Sequence, residues 1–161
     1  MKACIHRGAR QIGGTCIELE SAGKRLVLDL GLPLDAAPGS QQELPPVEAL
    51  ATGDDPNLLG VVISHPHQDH WGLLPHVSRS VPVIIGEAAA SVLRAATFFG
   101  ASGIDLEPEC FLRHRQQFEL GPFSITSYLN DHSGYDAYSL LIEADGRRIF
   151  YTGDIRGHGR K

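Results

Sequence analysis

Cysteine is scarce in this 161-residue chain, which has only Cys4, Cys16 and Cys110 and no C-x-x-C spacing. That excludes a disulfide framework and a zinc knuckle. Three scattered thiols fit a reducing cytosol. No apolar run approaches the roughly 20 residues of a membrane span. The opening "MKACIHRGAR" lacks the apolar stretch of a signal peptide. Positive charge is also short, with 14 Lys and Arg against 19 Asp and Glu and a formal net charge of -5. Net charge therefore gives no sign of nucleic-acid binding, although a local basic patch remains open. Internal repeats and low-complexity segments are absent. A soluble cytoplasmic protein without membrane association is expected.

Hydrophobic residues make up 42% of the chain, a globular composition. The length suits one domain over residues 1–161, with enough chain to bury a core. "TCIELES" alternates and "RLVLDLG" runs apolar, with "AGK" between them, which predicts a β-hairpin. Residues 32–57 are rich in Pro, Gly, Asp and Gln and read as a long loop with one short helix near 47–51. "GVVISH" and "VPVII" read as short buried strands. "WGLLPHV" reads as the start of a helix. "GEAAASVLRAATFFG" is the clearest helix, Ala-rich and bounded by Gly. "QFEL", "FSITSYL", "AYSLLIEA" and "RIFYTGD" read as further strands, the last two joined by an Asp-Gly turn. The pattern is a mixed α/β chain whose unusual polar residues sit in short loops at strand ends, where a sheet can hold them rigidly.

"ISHPHQDHWG" concentrates three of the eight histidines in six residues. His65, His67, Asp69 and His70 form H-x-H-x-D-H directly after a buried strand. Residues i and i+2 at a strand end can point the same way, so His65 and His67 suit one metal ion. Asp69 and His70 suit a second. Imidazole and carboxylate are ligands for zinc, iron or manganese. Pro66 stiffens the backbone between the first two histidines. Each ion needs further ligands, and His132 in "YLNDHSG", Asp154 in "FYTGD" and Asp29 in "LVLDLG" all sit at strand ends.

This ordered series resembles the metallo-β-lactamase superfamily across essentially the whole chain. The flanks "IHRGARQIGGTCIELESAGKRLVLDLG" and "DAYSLLIEADGRRIFYTGDIRGHGRK" are similar to the N-terminal part of the β-CASP nucleases that process RNA and DNA, such as ribonuclease J. The resemblance implies an α/β fold of αββα type, two β-sheets flanked by helices with the metal site along one edge. It implies His65, His67 and His132 as ligands of a first ion and Asp69 and His70 as ligands of a second. Asp154 would bridge the two, and Asp29 would orient the histidine loop. Two Zn2+ ions are implied, with Mn2+ or Fe as alternatives. Family members complete the second ion with a further histidine beyond the Asp154 position. His158 lies there without a matching motif. The chain is therefore expected to hold only the N-terminal portion of the architecture, without its last strands and helix or any β-CASP insertion. Exposed sheet edges would then favour a homodimer.

Chemically, such a site lowers the pKa of a water for attack on phosphorus or a carbonyl carbon. Asp69 and His70 are the catalytic candidates, Asp69 by orienting the water. The leading expectation is phosphodiester hydrolysis in RNA or single-stranded DNA, with Arg156, Arg160 and Lys161 contacting phosphates. The same chemistry serves a small-molecule hydrolase of thioesters, lactones or β-lactams. A non-catalytic metal-binding or dimerising module is the third reading. Trp71 is expected beneath the metal loop, with base stacking as its other use. His6, His76 and His114 lack ligand-type neighbours in sequence, and Gly13 to Thr15 read as a tight turn.

Overall fold

The computed structural model describes residues 1–35, 42–100 and 102–159. Six strands form the first sheet: β1 (Lys2–Arg7), β2 (Cys16–Ser21), β3 (Lys24–Leu28), β4 (Leu58–Val62), β5 (Val83–Gly86) and β6 (Cys110–Leu112), in that order. β1 to β3 pair antiparallel, and β3 to β6 pair parallel. The second sheet is an antiparallel run of β7 (Gln117–Leu120), β8 (Phe123–Leu129), β9 (Tyr138–Ala144) and β10 (Arg147–Tyr151).

The two expected hairpins form. Ala22 and Gly23 turn β2 into β3, and Asp145 and Gly146 turn β9 into β10, all four with positive φ. That backbone matches the strand twist and needs residues that tolerate the left-handed region. β1 and β6 carried no readable signal: β1 is an edge strand with an exposed first half, and β6 has three residues.

Parallel strands are covered on both faces, which explains their unbroken apolar runs. On one side Leu26, Leu28, Val62 and Ile84 meet Phe123, Ile125, Leu140 and Ile142 of the second sheet. On the other side Val27, Val61, Ile63 and Ile85 pack against Trp71, Leu73, Ala89 and Leu93. The last two belong to helix α2 (Glu87–Phe98), which buries Ala89, Ala90 and Leu93. Gly86 offers α2 no side-chain cap; the Asp136 carboxylate accepts the N–H groups of Ala88 and Ala89 instead, at 2.9 and 3.1 Å. Among the described residues, helices cover only the first sheet, so three layers of the αββα arrangement are present.

Two local expectations need correction. The segment near 47–51 is a run of turns, because Ala49 adopts φ 66° and interrupts helical geometry. The helix expected from Trp71 onward instead ends there: α1 spans Gln68–Trp71, and a 3-10 turn follows at Leu74–His76 with Pro75 inside it. No helix among the described residues is long and apolar enough to cross a membrane.

Candidate metal centre

Strand direction brings the ligand-type residues together. β3 and β4 run parallel, so Asp29 and the loop starting at Ile63 leave the sheet at the same end. Ligand sites in sheets of this kind form outside the carboxyl ends of such strands. β8 and β10 are each antiparallel to β9, so they also end on one side. They deliver His132 and Asp154.

The first group is a triangle of ring nitrogens. His67 Nδ1 lies 3.1 Å from His65 Nε2 and 3.1 Å from His132 Nε2. One ring nitrogen carries a single hydrogen or a single lone pair, so His67 Nδ1 cannot satisfy both neighbours. A tetrahedral ion with Zn–N bonds of about 2.0–2.1 Å places its nitrogens about 3.3 Å apart, close to this spacing. These residues fit a divalent cation.

The second group faces the first. His70 Nε2 is 3.6 Å from Asp69 Oδ2 and 3.5 Å from Asp154 Oδ1. The other Asp154 oxygen, Oδ2, is 3.8 Å from His132 Nε2. Asp154 thus turns one oxygen toward each group. His65 stands between the groups, with its ligand atom within 4.8 Å of those of His70 and Asp154 as well. His158 is exposed and joins neither group.

Asp29 anchors the arrangement. It is fully buried, has φ 55° and follows β3 directly. Its Oδ1 accepts the Ser64 backbone N–H at 2.7 Å. Its Oδ2 accepts the Ser64 hydroxyl at 2.8 Å, His70 Nδ1–H at 2.7 Å and the Tyr151 hydroxyl. The Ser64 hydroxyl, having given its proton to Asp29, can accept His65 Nδ1–H at 3.0 Å. One carboxylate therefore sets the tautomers of both histidines and leaves each Nε2 lone pair facing the centre. Ser64 and Tyr151 were not legible as site residues, since neither is a ligand type and Tyr151 belongs to a strand 122 residues from Asp29.

Electrostatics follow from this burial. Burial, with the neighbouring histidines, pushes the His65 pKa down to about 3. Burial also lowers that of His132. Both shifts favour the neutral ring, the state that ligates a cation. For His70, burial opposes the charged form, but the hydrogen bond and charge of Asp29 outweigh it and raise the pKa. Burial likewise works against the Asp29 carboxylate, while His70, Ser64 and Tyr151 hold its pKa below the ordinary value.

The backbone of the metal loop is held from outside. Leu30 N–H donates to His70 O at 2.7 Å, Leu32 N–H to Gln68 O at 3.0 Å and Thr15 N–H to Asp69 O at 3.2 Å. A side chain on Gly31 would overlap the Asp69 carbonyl oxygen. The Gly13 turn packs against the Asp69 side chain, where a Cβ would come within 2.9 Å of Asp69 Cβ. Trp71 is buried beneath the loop and donates Nε1–H to Pro66 O at 3.1 Å, which removes it from base stacking.

The phosphate contacts do not assemble in the same way. Arg156 is bound to the Asp131 carboxylate at 2.5 and 3.2 Å, and Arg160 and Lys161 lie outside the described residues. His6 pairs with Glu18 at 2.9 Å, and His114 Nδ1 accepts the Leu129 N–H, so both are structural.

Comparison with known proteins agrees with this fold. The chain is 27% identical to an RNase J-like protein of Methanocaldococcus jannaschii over 161 aligned residues, covering 94% of this chain and 35% of that protein. It thus spans about a third of that relative's length. A structure of a protein of unknown function from Enterococcus faecalis V583 superposes with a TM-score of 0.81 at 23% identity, over 97% of this chain and 44% of that one. A metallo-β-lactamase of Cronobacter sakazakii superposes with a TM-score of 0.63 at 18% identity, over 92% of this chain and 59% of that one. At these identities the two structures show the fold alone. The beta-lactamase superfamily domain matches residues 32–159, the stretch that carries every ligand-type residue of both groups. The chain belongs to the metallo-β-lactamase superfamily of hydrolases.

Proposed function

We propose that this protein is a metal-dependent phosphodiesterase that cleaves RNA or single-stranded DNA. The observation that carries the reading is Asp154, whose two oxygens face His132 on one side and His70 on the other. Two ligand groups sharing one carboxylate suit a pair of cations rather than one. His65, His67 and His132 would hold the first, and Asp69, His70 and Asp154 the second. Zinc suits this nitrogen-rich set, with manganese or iron as alternatives. Bound cations of this kind lower the pKa of water and stabilise negative charge on a phosphoryl oxygen.

The chain's own residues supply orientation. Asp69, beside His70, would orient the attacking water as well as help hold the second cation. Asp29 keeps His65 and His70 in the ligating tautomer, directly and through Ser64. Likeness to an RNase J-like protein supports a nucleic-acid substrate. Arg156, Arg160 and Lys161 are proposed as phosphate contacts, with Arg156 exchanging Asp131 for phosphate. The three free cysteines are consistent with action in the cytoplasm. The outer edges of β1 and β10, which pair with no other strand among the described residues, are the proposed surfaces for a homodimer.

A second reading, hydrolysis of a small ester or lactam, is favoured by the acidic net charge and by the fold shared with a metallo-β-lactamase. One assay separates the two. Zinc-loaded protein is incubated with end-labelled single-stranded RNA and DNA over a salt series, and in parallel with a thioester, a lactone and a β-lactam. Cleavage of the oligonucleotide that weakens steeply with salt supports the first reading. Turnover of a small ester or lactam with intact oligonucleotide overturns it.

A further inference from the structure

Four donors converge on Asp29, and three of them come from the loop that carries the histidines. The fourth, the Tyr151 hydroxyl, comes from the second sheet. Tyr151 is the last residue of β10, and the chain from there leads through Thr152 and Gly153 to Asp154. Gly153, at φ 56°, lies against Ser64, where a Cβ would come within 3.2 Å of the serine side chain. Tyr138 N–H donates to Ser64 O at 2.9 Å, so the neighbouring strand β9 is tied to Ser64 independently. Asn130 and Ser139 hold Thr152 O at 3.0 and 2.8 Å. The phenol is thus not needed to keep the sheets together. What it adds is a reference point: the strand end that delivers Asp154 is registered on the same carboxylate that registers His70.

We infer that Tyr151 is a positioning residue for the second cation: by donating to Asp29 it sets the spacing between Asp154 and His70. The inference rests on the two-cation reading above. Among the described residues the Tyr151 hydroxyl reaches His65 only by way of Asp29 and Ser64 and makes no hydrogen bond with His67 or His132, so this group stays formed without the phenol. Loss of the hydroxyl leaves Asp29 with its other three donors, and phenylalanine keeps the ring packing. The effect therefore falls chiefly on the second cation, while the first keeps its three histidines.

The test is a calorimetric titration of metal-free parent and Tyr151→Phe protein with Zn2+, repeated with Co2+ by absorption, beside thermal unfolding of both metal-free proteins. The expected result is two ions in the parent. In the variant, the first ion changes far less than the second, which is about 10- to 100-fold weaker, with little change in the metal-free melting temperature. Two equal binding steps in parent and variant overturn the inference. So does a variant that loses both ions together with a much lower melting temperature, since that marks a purely structural tyrosine. A parent that takes up fewer than two ions sinks the two-cation reading itself, before the variant is considered.

Discussion

Asp29 Oδ2 and His70 Nδ1 lie 2.7 Å apart, with the aspartate side chain wholly shielded from water and that of the histidine 3% exposed. An acid in that position cannot be removed cheaply. Asp29→Ala strands the Ser64 N–H, the Ser64 hydroxyl, His70 Nδ1–H and the Tyr151 hydroxyl in a dry environment. We expect a loss of about 3 kcal/mol or more in unfolding free energy by urea titration. Metal uptake should fall as well. Asp29→Asn keeps the shape and one acceptor oxygen but loses the charge and the second acceptor, and should fall between the parent and Asp29→Ala.

Acid should destabilise the metal-free protein in a defined window. The His65 pKa is pushed from 6.5 to about 3 by burial, and that of His132 is lowered too. Below pH 6.5 the unfolded chain takes up protons at these rings that the folded protein refuses, so stability falls as pH drops toward 3. His70 has the opposite sign: its raised pKa gives stability that is complete below 6.5 and lost as pH rises through the folded value. The lowered Asp29 pKa adds stability above 3.8 that disappears as pH falls through its folded value. Melting temperature against pH, measured without metal, should peak near 6.5. A profile flat from pH 4 to 7 would contradict the burial assigned to His65.

Gly31 makes a sharp structural prediction. An added methyl overlaps the carbonyl oxygen of Asp69. Gly31→Ala should push the loop carrying Asp69 and His70 away from β3, with a loss of roughly 1–3 kcal/mol and weaker metal binding. Gly23→Ala, in an open turn with nothing near its Cβ, is the control; its positive φ limits the cost to about 1 kcal/mol.

Asp136 replaces the missing cap of α2 from a loop 48 residues away. Asp136→Ala should lower stability by about 1 kcal/mol, as loss of a capping residue does. Because Asp136 lies four positions after His132, faster amide exchange is expected both at the start of α2 and in the His132 loop.

How much of this was legible in advance divides along physical lines. The hairpins, α2 and the strand leading into the histidines were readable because apolar periodicity and turn chemistry are local. The helices expected near 47–51 and from Trp71 onward were misread for the same reason. Local propensity cannot see that Ala49 takes a positive φ, or that the chain after Trp71 breaks to bury Leu73 and Leu74. The ligand-type residues were readable as a set, because imidazoles and carboxylates at strand ends are costly to place without purpose. Ser64 and Tyr151 were not, since their role exists only once β4 and β10 end beside Asp29.

The chain by itself determined which atoms are available: imidazoles, short carboxylates, and glycines where a backbone must pass close to its neighbour. Tertiary structure decided how they combine. Parallel pairing of β3 with β4, and the common direction of β8 and β10, carry Asp29, His65, His132 and Asp154 to one end of two sheets. Only there does a single buried carboxylate fix two tautomers, and only there does Asp154 face both halves of the centre. Those are distances between residues far apart in the chain, and pairing register, not composition, sets them.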